Sequence, residues 1–103
     1  MQIQVHAGRN LHGGESLLER VQQMVESSIT QHADRITRIE VHLSDENSVK
    51  GGNDKRCVLE ARLTGLDPIA VTHQAESVAL AVEGAAEKLE RAIGHTLGRL
   101  KER

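Results

Sequence analysis

The sequence predicts an α+β fold of order βαβββα, a four-stranded mixed sheet with two helices packed on one face, and three patterns lead to it. Four short segments alternate apolar and polar residues, two longer segments repeat apolar residues at helical spacing, and glycine, proline and polar clusters separate them. Each strand segment has only one apolar face, so the sheet is a single open layer and both helices must cover the same side.

Taken in order, Ile3 and Val5 alternate with Gln2, Gln4 and His6, giving a first strand that ends at Ala7-Gly8-Arg9. Gly13 and Gly14 then break the chain. From Glu15 to about His32 the pattern is helical, with Leu17, Leu18, Val21, Met24, Val25 and Ile29 on one face and Ser16, Glu19, Gln23, Ser27 and Thr30 opposite. Strand alternation returns at Ile39, Val41 and Leu43, and again at Cys57, Leu59, Ala61 and Leu63. A fourth strand, Ile69 to His73, follows the turn at Gly65-Leu66-Asp67-Pro68, and Glu76 to Arg103 reads as one long helix.

The first two strands, joined through a helix, should be parallel by a right-handed crossover, and the last three should form an antiparallel meander. The solvent face then carries His6, Arg38, Glu40, His42, Glu60 and Arg62. Pairing Val41 with Leu59 would set Glu40 against Glu60 and Arg38 against Arg62. A slip of two residues brings opposite charges together with the apolar face unchanged, so the slipped register is expected.

At 103 residues the chain is read as a single domain, 1–103, able to bury about two thirds of the surface of its unfolded form. It has no Phe, Tyr or Trp, so its core is aliphatic and it lacks the stacking platforms that single-strand nucleic-acid binders use. Cys57 is the only cysteine, which excludes an internal disulfide and a thiolate zinc site; it reads as an inward-facing, inert thiol. The N-terminus lacks the features of a signal peptide, and no apolar run approaches the ~18 residues of a membrane span, so a cytoplasmic protein without membrane contact is expected. Gly51-Gly52 lacks the spacing and helix of a phosphate loop, and His12-Gly13-Gly14 has no accompanying nucleophile elbow. No enzymatic activity, cofactor or small-molecule substrate is therefore expected. His6 and His42 face solvent on adjacent parallel strands, but two exposed imidazoles without a third ligand make a poor metal site, and none is expected.

A net charge of −2 with histidines neutral argues against binding nucleic acid by bulk charge, so such binding needs a local patch. Protonating all six histidines would move the charge from −2 to +4. The terminal helix offers the patch. Turning about 100° per residue, it places Val78, Val82, Ala85, Leu89, Ala92, Ile93, Thr96 and Leu100 on one stripe. Lys88, Arg91, His95 and Arg99 fall on a second stripe displayed to solvent, and Glu76, Glu83, Glu87 and Glu90 on a third. Simpler roles compete with this one: Glu87 and Arg91 form an i, i+4 pair, and Arg99, Lys101 and Arg103 complement the helix dipole. The long polar stretch Ser44 to Arg56 reads as a hairpin tip, or as a contact arm using Lys50, Lys55 and Arg56.

The element order, the Gly8-Arg9 pair closing the first strand, Asp34-Arg35-Ile36 leading into Val41-His42-Leu43-Ser44, and above all Glu87-Lys88-Leu89-Glu90-Arg91 resemble the ribosome hibernation-promoting factor family, also called ribosome-associated inhibitor or ribosomal subunit interface proteins. The resemblance covers nearly the whole chain, and since the chain ends where the short members end, a short form without the dimerisation domain of the long ones is expected. It implies a bacterial, cytoplasmic stress protein that binds the small ribosomal subunit in its decoding channel. There it contacts ribosomal RNA through basic residues and blocks messenger and transfer RNA; a weak homodimer is compatible with this. Arg9, Lys88 and Arg91 match family basic positions, and His95, Arg99, Lys101 and Arg103 extend the RNA-binding set by location. Past Arg91 the chain runs Ala92-Ile93-Gly94-His95-Thr96-Leu97-Gly98 where the family carries further lysines. The alternative is a divergent member that has lost ribosome binding and acts as a protein-interaction module.

Overall fold

In the computed structural model, residues 1–8, 11, 13–46 and 54–101 are described. The elements are β1 (Gln2–Ala7), α1 (Gly14–Ser28), β2 (Ile36–Asp45), β3 (Lys55–Leu63), β4 (Ile69–Ala75) and α2 (Val78–Lys101), with a short 3-10 turn at Ala33–Arg35. The expected βαβββα order holds. Strand β4 runs two residues further than its apolar pattern indicates, because Ala75 still turns inward before Ser77 starts the last helix.

The sheet order is β1-β2-β3-β4, with β1 parallel to β2 and the remaining pairs antiparallel. Ile39, Val41 and Leu43 of β2 and Cys57, Leu59 and Ala61 of β3 alternate into the core and are all buried. Both helices lie on that face, α1 contributing Leu17, Val21 and Val25, and α2 contributing Val82, Leu89 and Ile93. At the start of α1, Gly13 and Gly14 have φ of 138° and 53°, a left-handed entry that suits glycine and explains why the break falls there. Gly8 closes β1, its N–H donating to the Leu43 carbonyl at 2.8 Å.

The register corrects the expected slip. Val41 pairs with Leu59, Glu40 with Glu60 and Arg38 with Arg62, so like charges do sit opposite one another. The charges are neutralised along the strands instead: Arg38 Nη2 lies 2.7 Å from Glu40 Oε2, and Arg62 Nη2 lies 4.0 Å from Glu60 Oε1. The end of the hairpin supplies a further reason. Asp45 pairs with Lys55, and Lys55 Nζ sits 2.9 Å from Asp54 Oδ1 and 3.4 Å from Asp45 Oδ2. The Asp54 hydrogen bond, helped by Asp45 and opposed by desolvation, holds the Lys55 pKa above the ordinary lysine value. A two-residue slip would part Lys55 from Asp45. Arg56 is also engaged, 3.4 Å from Glu46 Oε1, so two of the three cations proposed for a contact arm are paired at its base. Lys50 lies outside the described residues.

Cys57 is fully buried among aliphatic side chains, and burial pushes its thiol up to about 12. An aromatic disulfide reagent at pH 8 is therefore expected to leave the folded protein unmodified and to react once urea is added; rapid native reaction would show that β3 opens readily. The folded-state pKa is raised, so the thiol's contribution to stability is intact below the unfolded value of about 8.5 and is lost as pH climbs from there towards 12.

Candidate nucleic-acid interface

Helix α2 is oriented by its cap and its buried face. The Ser77 hydroxyl accepts from the Leu80 N–H at 3.2 Å, satisfying a first-turn donor. The face that meets the sheet is Ala81, Val82, Ala85, Ala86, Leu89, Ile93 and Leu97. This corrects the end of the expected apolar stripe: Leu97 is buried, whereas Leu100 is 43% exposed. Helical side chains lean towards the N-terminus. Leu97 therefore reaches back onto the core, while Leu100 in the last turn lines an open groove with Asp34, Arg35 and Lys101. Gly84 is small for a local reason: the His73 ring of β4 lies against it, and a Cβ there would overlap that ring.

Glu90 and Lys88 lie on opposite flanks of the buried face. On the α1 side, Glu90 Oε1 accepts from the Thr30 N–H at 3.1 Å, tying the chain just after α1 to the last helix. Glu83 and Glu87 line the cleft between the helices, together with Ser28, Gln31 and Arg91. On the β4 side lies Lys88. It is half-buried rather than freely displayed, because its Nζ donates to the Thr72 carbonyl at 2.8 Å. β4 is an edge strand, so Lys88 covers a carbonyl that has no strand partner, and a charged side chain on an edge also discourages further strands from pairing there. Replacing Lys88 by Met is expected to cost about 0.5–1.5 kcal/mol in urea unfolding, because that bond can no longer form; an unchanged midpoint would return Lys88 to the free cations.

Arg91, His95, Arg99 and Lys101 are exposed and lie in the second half of α2. Arg9 and Arg103 lie outside the described residues. Tertiary structure adds Arg35, an exposed residue of the 3-10 turn that shares the Lys101 groove. Its local signal, the Asp34-Arg35-Ile36 run, marks a strand entry and says nothing of a helix some sixty positions away in sequence. Charge is thus separated along α2. Glu83, Glu87 and Glu90 line the α1 cleft with Arg91 beside them, while the exposed His95, Arg99 and Lys101 lie beyond them towards the C-terminus. At about 1.5 Å of rise per residue, Arg99 and Lys101 stand more than about 13 Å along the axis from Glu90, beyond a Debye length of about 8–10 Å, and are largely screened from the acidic group. A net-negative chain can therefore present a cationic end, suited to phosphates as partners.

The family model described as Sigma 54 modulation protein / S30EA ribosomal protein matches residues 3–101. Among solved structures, the chain is similar to a ribosomal subunit interface protein from Coxiella burnetii, with 21% identity, a TM-score of 0.71 and 100% of both chains covered. It is also similar to the N-terminal domain of Protein Y from Thermus thermophilus, with 21% identity and a TM-score of 0.69, over 93% of this chain and 99% of that one. At this identity the likeness is one of fold. No curated protein sequence matches the chain.

Proposed function

Since the chain belongs to the Sigma 54 modulation protein / S30EA ribosomal protein family, we propose that it is a ribosome-associated translation regulator that binds the small subunit and blocks the messenger and transfer RNA channel under stress. The observation that carries this reading is the exposed basic row in the second half of α2, Arg91, His95, Arg99 and Lys101, with Arg35 brought beside Lys101 by the fold. Arginine and lysine contacts to phosphate give affinity without reading sequence, which suits a plug that acts by occupying space in the cytoplasm rather than by chemistry. Lys88 contributes mainly to the fold of the plug, because its ammonium is engaged on β4.

Co-sedimentation with purified small subunits over a salt series tests the proposal. Binding at low salt that falls steeply as salt rises is the expected result, since released counterions make phosphate contacts salt-dependent. Absence of pelleting at low salt would overturn it in favour of a family member that acts through proteins.

A further inference from the structure

The outer face of the sheet carries a constellation that the ribosome-binding reading does not use. His6 of β1 and His42 of β2 are register partners on adjacent parallel strands. Their rings are stacked, with centroids 4.9 Å apart and planes 17° from parallel. Glu40, two residues before His42 and so on the same face, points one carboxylate oxygen at both: Oε1 lies 3.3 Å from His6 Nε2 and 3.9 Å from His42 Nε2. Its other oxygen is held by Arg38 at 2.7 Å. The third ligand that the two histidines need is thus present, and it is oriented.

We propose that His6, Glu40 and His42 form a surface site for a divalent transition-metal ion of the zinc class, with two imidazole nitrogens and one carboxylate oxygen as ligands and the fourth position open to water. The geometry is close to what such an ion requires. Tetrahedral zinc with bonds of about 2.0–2.1 Å sets its ligand atoms about 3.3–3.4 Å apart. The His6–Glu40 separation already matches, and the His42–Glu40 separation needs to close by about half an ångström. All three ligand atoms lie within 4.8 Å of one another. The imidazole side chains are 50% and 53% exposed, so turning them out of the stack towards a shared ion meets little packing resistance. The sheet fixes the backbone under all three ligands, which removes most of the ordering cost that a loop site would carry.

The donor set selects the ion. Two nitrogens and one oxygen suit zinc, whereas magnesium and calcium take oxygen shells. Arg38 acts as a positioning residue, leaving the Glu40 oxygen that faces the histidines free to ligate. The thiol that would otherwise compete for zinc, Cys57, is fully buried.

Calorimetric titration of the intact protein with Zn2+ at constant ionic strength tests the site. One equivalent should bind, with affinity about tenfold or more weaker in His6→Asn, His42→Asn and Glu40→Gln. His73→Asn and His95→Asn should bind as the parent does, and Mg2+ should give no comparable binding. Arg38→Met should weaken zinc less than removal of a ligand does, while leaving the stoichiometry at one. Zn2+ should also raise the melting temperature of the parent but not of the His6→Asn, His42→Asn double variant, a readout that checks folding in the same measurement. Zinc affinity unchanged in that double variant, or no binding in the parent up to about 1 mM, would overturn the assignment.

Discussion

Replacing Arg91 and Arg99 together by glutamate is expected to weaken small-subunit binding by about 10- to 100-fold, taking roughly 1.4 kcal/mol for each charge-assisted hydrogen bond to phosphate that is removed. The slope of log affinity against log salt should become shallower by about 1–2, because fewer counterions are released. Both side chains are exposed and neither is engaged in an ion pair among the described residues, so unfolding should shift by no more than about 1 kcal/mol, mostly from an acid set near a helix C-terminus. Lys88→Met provides the contrast: it should lower stability and leave the salt slope nearly intact. Sedimentation of all three proteins with small subunits, beside their urea midpoints, separates the roles. A double variant that keeps the parent's slope would move the RNA-facing surface off α2.

Leu89→Ala is expected to cost about 2–5 kcal/mol, a large part of the ~5–15 kcal/mol that holds a domain of this size together. Leu89 has no solvent exposure and sits in the middle of the α2 face that meets the sheet. With no Phe, Tyr or Trp in the chain, no bulky apolar ring is available to swing into the space, so the cavity stays largely open. Leu100→Ala should change stability by no more than about 0.5 kcal/mol, as its side chain is 43% exposed. Urea unfolding followed by far-ultraviolet circular dichroism checks both, since the chain has no tryptophan or tyrosine to report by fluorescence. Similar destabilisation by the two would mean that α2 is rotated from the orientation that buries Leu89 and exposes Leu100.

Element order, strand directions and the covered face were legible because they follow from periodicity and connection rules, and Ile39, Val41, Leu59 and Leu89 carry those signals plainly. Register was not. The expected slip rested on pairing Arg with Glu across strands, whereas Arg38 and Glu60 find their opposite charges two residues away on their own strand. The outward character of α2 was legible for Arg91, His95 and Arg99. It failed for Lys88, whose partner is a backbone carbonyl on β4, a group present at every residue and therefore invisible to any side-chain pattern. Arg35 and Glu40 escaped for a related reason. Each gains its candidate role from a neighbour far along the chain, Lys101 in one case and His6 in the other, and only the folded topology sets that distance.

The parallel pairing of β1 with β2 has a kinetic side. Gln2 meets Arg38 across 36 positions, whereas the β2–β3 hairpin closes from Asp45 to Lys55 across 10. Closing the longer span costs about 1 kcal/mol more in chain entropy, and β1 has a strand neighbour on one side only. The meander with α2 can assemble from near neighbours, so β1 is expected to dock last and to come away first. His6 stands on β1 and His42 on β2, which belongs to the hairpin. An ion shared between them would act as a clasp, slowing the departure of β1 while the rest of the sheet stays as it is.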